Sequence, residues 1–599
     1  MAKVIRIGGA GGFLGDSSVA APQLLKGGDL DYMILDYLAE ATMSILGQIK
    51  RDRPGEGFAR DFTEWVWKDN LAEFKAQGVK VITNAGGLNP HACRARMEEL
   101  AAAAGLSFRI AVIEGDDLME SIDTLSGMTE LYTGASFPPK DRLFTANAYF
   151  GGRPIAAALA AGADMVITGR VVDSALTLGP LMHEFGWSDD DHDLLSAGSL
   201  AGHVIECGAQ ATGGLFTDWR DVPDWGHIGY PIIECHADGS FVVTKPAGTG
   251  GLVSPAAVAE QILYEVGDPQ GYALPDVVCD FTQVKVEQVG EHRVKVTGAK
   301  GYPPSGSYKA CITWGDGWRF IGAMPIVGRE AAAKAKRQAE AVLERVGDML
   351  REKNLAPFRE TRIEILGAEA SYGANASEAA QAVREVVSRV GAEHEDERAL
   401  RLLTREWQSP TTSMSVGTTG WFGGAPSISP VARVFSVLIP REQVPAKVDL
   451  GGVVTVVDAP SPATPFSAAM VERPTPPAGP DASGQLIEVP LIDLAWARSG
   501  DKGDAFNVGV IARKPQYLPW IRAGLSEAAV KTWFAHEFEG AVAPQVIRYD
   551  LPGMDAINLH CIQALGGGQF ASLRLDALAK GKAQQLLDMP IKVPAALIA

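Results

Sequence analysis

At 599 residues the chain exceeds what one hydrophobic core supports, a ceiling near ~250–300 residues, so two or more domains are expected. A formal net charge of −18, with no run of lysines or arginines, argues against nucleic acid or an anionic membrane as a partner. Six scattered cysteines include no Cys-x-x-Cys, and no apolar run is long enough to span a bilayer, so the chain reads as a cytoplasmic globular protein with reduced thiols.

The first apolar run, Val4 to Ile7, opens into Gly9-Ala-Gly-Gly-Phe-Leu-Gly15, a Gly-x-x-Gly-x-x-Gly turn. Such turns bring backbone close to a pyrophosphate at the start of a helix. Here Asp16 follows at once, and in a first helical turn its carboxylate would repel that ligand. A short-chain dehydrogenase would also need Tyr-x-x-x-Lys, and none of the twelve tyrosines has a lysine four residues on. An NAD-dependent reductase is therefore the disfavoured reading.

Further apolar runs come at Tyr32 to Leu35, Val79 to Thr83, Phe108 to Ile113 and Met165 to Thr168, each followed by a polar loop and a helical stretch. Near-continuous apolar strands alternating with helices predict an α/β fold, a parallel sheet with helices on both faces, over residues 1–275. Ligands of such sheets bind beyond the carboxyl ends of the strands. Five polar clusters fall there: Asp16-Ser17, Asp36 to Thr42, Asn84 to Pro90, Glu114 to Asp117, and Gly169 to Ser174.

These clusters supply the candidate site. Asp36 and Glu40, four apart, would share a helix face as an acid/base pair or around a cation; the plainer reading makes Asp36 an N-cap. Asn84, Gly86, Gly87 and Asn89 form a loop rich in amide donors, with His91 a candidate acid or base on the next helix. Arg170 either clamps a substrate carboxylate or merely holds Asp173. His203, Glu206 and Cys207 have a spacing that could face one side of a helix, but zinc signatures are otherwise absent.

Residues 276–458 change texture to alternating strands at Val284 to Val289, His292 to Val296, Lys309 to Trp314 and Trp318 to Ile321. A helix near Arg329, a strand at Arg362 to Leu366 and an apolar run at Val431 to Ile439 complete a mixed α+β part. The Pro-rich stretch Pro460 to Ser483 reads as a linker, 459–486 at its widest. A small domain of about 487–599 follows. Its segment Arg498-Ser-Gly-Asp-Lys502-Gly-Asp504, with Asn507, carries more polar chemistry than a turn requires.

The motifs Gly8 to Ser17, Asp36 to Ser44, Thr83 to Pro90 and Thr168 to Leu176 together resemble the acyclic terpene utilisation family, over residues 1 to about 455. The segment around Ser499 to Asn507 is similar to the ferredoxin-like α+β domain often fused to that family. The resemblance implies a role in citronellol, geraniol or related branched-acid breakdown through CoA thioesters, without a settled reaction. The expected function is a lyase or hydro-lyase on an acyl-CoA, without a redox cofactor; the alternative is a non-catalytic acyl-CoA-binding or assembly protein. Asp16, Asp36, Glu40, Asp173 and His91 are the expected catalytic set. Ser17, Asn84, Gly86, Gly87, Asn89, Arg170, Ser174, Arg498, Ser499, Lys502, Asp504 and Asn507 are the expected substrate-binding set. Asp16, Asp36 and Glu40 are the ligands for Mg2+ if any metal binds. A C-terminal loop reaching the rim of its own or a neighbouring subunit predicts a homo-oligomer.

Overall fold

The computed structural model describes residues 3–420, 424–459, 461–477, 479–481 and 484–598. All five anticipated strands form: β1 (Val4–Gly9), β2 (Tyr32–Leu35), β3 (Lys80–Thr83), β4 (Ile110–Glu114) and, after β5 (Leu143–Ala148), β6 (Met165–Thr168). They pair in parallel in the order β1-β2-β3-β6-β4. β2 and β6 are buried along their whole length, which is why they read as continuous apolar runs.

The parallel block is only the middle of a mixed, eleven-stranded sheet. Beyond β1 come β7 (Ile232–His236) and β8 (Phe241–Thr244), then Arg293–Thr297 and Lys285–Gly290, all antiparallel. Beyond β4 come Ala446–Leu450 and Val453–Val457. The alternating strands at 285–297, expected in the middle part, therefore extend the first sheet: their half-solvated faces suit its flank rather than its centre.

A second sheet is organised by one strand, Ser307–Val327, where the sequence suggested two. The register shift between Gly315 and Trp318 against Ser427–Pro440 is a bulge that keeps the strand running through its Gly-Asp-Gly interruption. β5 pairs with its first half and Glu385–His394 with its second. Helix Ala331–Glu352 covers this sheet with a stripe from Ala335 to Leu350.

The C-terminal domain has a four-stranded antiparallel sheet in the order 495–502, 505–512, 556–562, 545–551. Its core is centred on Phe506, Phe534 and Leu559, while Ile511, Leu551 and Ala556 belong to the apolar cluster of the main sheet. The Pro-rich stretch lies on the first domain, with Phe466 against Tyr302 and Arg473 paired to Asp268; Pro460, Ala478, Ala482 and Ser483 lie outside the described residues. No helix among the described residues is long and apolar enough to cross a membrane.

Candidate functional site

The sheet gathers a charged cluster beyond the carboxyl ends of β2, β3 and β6. Asp36 does not share a helix with Glu40, because helix α2 (Glu40–Asp52) begins four residues later. Asp36 sits in the connecting loop, 5% exposed, where its Oδ1 accepts from Asn84 Nδ2 (2.6 Å) and Leu38 N (3.1 Å). Asn84, fully buried, accepts in turn from Tyr37 N (2.8 Å). Burial, followed by the charge of Asp173, raises the Asp36 carboxyl well above the usual carboxylate range, despite Arg170.

Glu40 behaves oppositely. Burial alone would raise it, but Lys309 and Arg170 overcome that and hold it down at about 2. Tyr149, just after β5, donates its phenol hydrogen to Glu40 Oε1 at 2.8 Å, and Lys309 Nζ lies 4.0 Å from the same oxygen. Arg170 stacks 4.2 Å over the Tyr149 ring and pairs with Asp173 at 2.7 Å. A small cavity opens between Glu40, Asn147, Tyr149, Arg170 and Cys311. Two buried atoms on its lining residues, Arg170 Nε and Asn147 Oδ1, find no partner among the described residues.

Behind this layer Asp116 accepts from Asn147 Nδ2 and Arg170 N, both at 2.8 Å, and burial pushes it up to about 7. At the end of helix α7 (His192–Ile205, numbered after α3 to α6 at Lys68–Gln77, Pro90–Ala103, Arg153–Ala160 and Ala175–Phe185), His203 Nδ1 and Glu206 Oε1 are 3.1 Å apart. Glu206 is raised by burial, and its charge bears on Asp36.

The C-terminal domain completes the cluster within the same chain. Residues 498–502 belong to strand Ala495–Lys502 rather than to a turn, so alternate side chains face the first domain. Arg498 donates to Leu215 O (2.8 Å) and stacks 4.8 Å over Tyr264. Gly500 lies flat against Tyr264 and Glu265, and Lys502 Nζ is 3.9 Å from Glu265. Lys580 also reaches Glu265, at 2.9 Å. Against burial, Lys580 and Lys502 hold Glu265 below its ordinary value. Lys502 is raised well above its own by Tyr272, then by Glu265, Asp173 and Glu40. Tyr272 itself is pushed up to about 12, chiefly by burial.

The remaining anticipated residues are engaged in contacts of their own. Helix α1 (Ala20–Gly27) starts beyond Asp16, whose oxygens accept from Gly12 N (2.9 Å) and Ser17 N (2.6 Å), closing their own loop. Ser17 is exposed and its Oγ accepts from Val19 N at 3.3 Å. Asn89 caps α4 through Ala92 N (3.3 Å), and His91 is paired with Glu114 at 2.8 Å. Gly86 and Gly87 are packed against Thr168 O and Gly57 O, and Ser174 against Gly202. Within the C-terminal domain, Ser499 bridges Ala579 O and Ala583 N, and Asp504 accepts from Gly567 N (2.8 Å). Asn507 donates to Leu263 O (2.7 Å), tying the C-terminal sheet to helix α8 (Pro255–Leu263). Asp16, Asp36 and Glu40 are thus engaged separately, and no group of three or more His, Cys, Asp or Glu among the described residues is arranged to hold a metal ion.

The opening glycines have a different partner from a dinucleotide. A Cβ on Gly9 would meet Ile205 O at 2.3 Å, and one on Gly12 would meet Cys207 Cα at 2.8 Å. The backbone leaving α7 occupies that side of the turn, and the glycines are what let it approach.

The family model for the acyclic terpene utilisation protein AtuA matches residues 5–450, and that for the AtuA ferredoxin-like domain matches residues 489–592. The chain belongs to the acyclic terpene utilisation family. No curated protein and no solved structure matches it. In this AtuA-family chain the charged cluster draws on both matched segments, with Asp36, Glu40, Tyr149, Arg170 and Asp173 in the first and Lys502 and Lys580 in the second.

No sequence motif singled out Tyr149, Glu265, Lys309 and Lys580, nor Asn147, Tyr264 and Tyr272 beside them. Tyr149 and Lys309 meet only because β5 pairs with Ser307–Val327 across a long sequence separation. Glu265 left one signal, an acidic residue after a helix end, and its φ of 59° marks it as held in an unusual backbone geometry.

Proposed function

We propose that this protein is a catabolic enzyme of acyclic terpene and branched-chain acid breakdown that acts on an acyl-CoA thioester, as a lyase or hydro-lyase, by acid–base catalysis. One observation carries the reading: Asp36, buried and held by Asn84 at 2.6 Å, binds its proton more tightly than an ordinary carboxyl, beside an Asp173 that is ion-paired to Arg170 at 2.7 Å. A carboxyl whose surroundings raise its proton affinity, next to one held in an ion pair, suits the acid and the base of a site.

In the elimination direction Asp173 takes the proton from the carbon next to the thioester carbonyl. Asp36 gives its proton to the departing hydroxyl. A C–H and a C–O bond break, a C=C bond forms, and water leaves; hydration runs the same steps backwards. Arg170 and Lys502 supply positive charge where the thioester oxygen becomes enolate-like, the usual place for the largest electrostatic gain. Glu40 stays ionised and orients Tyr149 and Lys309.

The test is a thermal-shift screen of branched acyl-CoAs against the free acids, followed by mass analysis of any thioester that stabilises the protein. A ligand at a hundred times its dissociation constant adds ~2.7 kcal/mol to the folded state. Gain or loss of water by wild type, and none by Asp36→Asn, is the expected result. Stabilisation by thioesters without any turnover would leave a carrier, and no stabilisation by any thioester would remove the acyl-CoA assignment.

A further inference from the structure

One edge of the main sheet is left bare. Strand Val453–Val457 pairs with Ala446–Leu450 on one side, and among the described residues nothing pairs with the other. Val453, Val454 and Val456 are 70%, 53% and 53% exposed, so both faces of this strand meet solvent. Open edges are normally blunted by charge, proline or a bulge. The opposite edge, Lys285–Gly290, has Lys285, Glu287 and a bulge between Gln288 and Gly290. Edge strand Glu360–Leu366 of the second sheet has Glu360, Arg362 and Glu364, and Ser427–Pro440 has Pro430 and Pro440. Val453–Val457 has none of these devices.

Its sequence also reads the same in both directions: Val-Val-Thr-Val-Val, centred on Thr455. An antiparallel copy laid against it places Val453 opposite Val457, Val454 opposite Val456, and Thr455 opposite itself. The backbone fits the same register. The turn before the strand has positive φ at both Gly451 (64°) and Gly452 (85°), the two-residue hairpin whose closing pair, Leu450 and Val453, is hydrogen-bonded. Alternation along an antiparallel ladder then turns the amide groups of 453, 455 and 457 inward and those of 454 and 456 outward. In the palindromic register those outward groups face one another as two hydrogen-bonded pairs. Thr455 forms the non-hydrogen-bonded pair on the axis.

We infer that Val453–Val457 is a two-fold interface with a second copy of this chain, joining two eleven-stranded sheets edge to edge. A C2 contact requires a self-complementary patch, which a palindromic edge strand supplies. The proposal is independent of the reaction assigned above.

Sedimentation of the full chain tests it. Wild type is expected at twice the 63.5 kDa chain mass. Val456→Pro removes an outward N–H that the isolated chain does not use, and Val454→Lys places a charge on the edge; both are expected to sediment as the single chain with unchanged circular dichroism and melting. Thr455→Cys sits on the axis, where non-hydrogen-bonded Cα atoms ~4.5 Å apart allow a disulfide. It should cross-link to dimer on mild oxidation, whereas Val453→Cys, facing Val457 of the other copy, should not. Five of the six native cysteines are buried, which keeps the background low. A monomeric wild type, a dimer that survives both edge variants, or a Thr455→Cys protein that does not cross-link would each overturn the inference, and the cysteine pair decides it even if Val456→Pro misfolds.

Discussion

Lys502 Nζ stands 3.9 Å from Glu265, a cation of the C-terminal domain set against a carboxylate of the first. Its side chain is half exposed, so its contribution to stability is small, under about 1 kcal/mol for a pair of this kind. Its contribution to the site is larger, because its charge also acts on Asp173 and Glu40. Lys502→Met should therefore unfold within about 1 kcal/mol of wild type. Turnover should drop by roughly 10²–10³, the loss typical of removing one preorganised charge at a developing oxyanion. Urea unfolding and steady-state kinetics separate the two effects; activity at the wild-type level would remove Lys502 from the site.

Asp36→Asn is the sharpest probe of the proposed acid. An asparagine oxygen can still accept from Asn84 and Leu38, so the loop should hold and melting should change little. The amide cannot deliver a proton, and turnover should fall by roughly 10²–10⁴ while ligand binding survives. Normal turnover in this variant would mean the acid lies elsewhere.

Asp116 gives the stability a defined pH dependence. Its folded value, about 7, lies above the ~3.9 of an unfolded aspartate. The folded state thus holds that proton more tightly. The contribution is complete below the unfolded value and is lost as pH rises through about 7. Glu260, pushed up to about 8 by burial, acts in the same direction. Asp116→Asn keeps an oxygen for Asn147 and Arg170 but abolishes one titration, so its stability should fall less than that of wild type between about pH 5 and about pH 8. Identical slopes in denaturant titrations at the two pH values would contradict the assignment.

Gly500 tests how closely the domains must approach. A Cβ there would sit 2.4 Å from Glu265 Cγ and 2.6 Å from Tyr264 Cε2. Gly500→Ala should destabilise by about 1–3 kcal/mol, the usual range for overpacking, and should lower turnover as well by moving Glu265. Unchanged melting and kinetics together would show that the seam is loose.

The parallel strands and the polar loops at their ends were legible because burial on both faces writes an unbroken apolar run, and a loop at a strand's carboxyl end stands out against it. Asp36, Asn84, Arg170 and Asp173 could be named on that basis. Glu40 could be named but not placed, since the loop from Asp36 to Ala39 looks helical by composition and is not. Asp16 misled for a similar reason: its helix starts only at Ala20, and the carboxylate serves its own turn. Tyr149, Lys309 and Lys580 depend on pairings between distant segments, which no local pattern records. The C-terminal segment looked like a turn because Gly500 and Gly503 flank its charges; the first of these glycines is instead a flat contact within a strand.

Glu265 adopts a left-handed backbone conformation that costs a residue with a side chain of order 1–3 kcal/mol. The lysines that meet its carboxylate, Lys502 and Lys580, come later in the chain than every strand of the main sheet. On the ribosome the first domain can thus complete its sheet while this carboxylate still lacks its counter-charges. The full charge pattern arises only once residues 489–592 have been made and have docked, so the cluster is armed by a later domain rather than by the one that holds most of it.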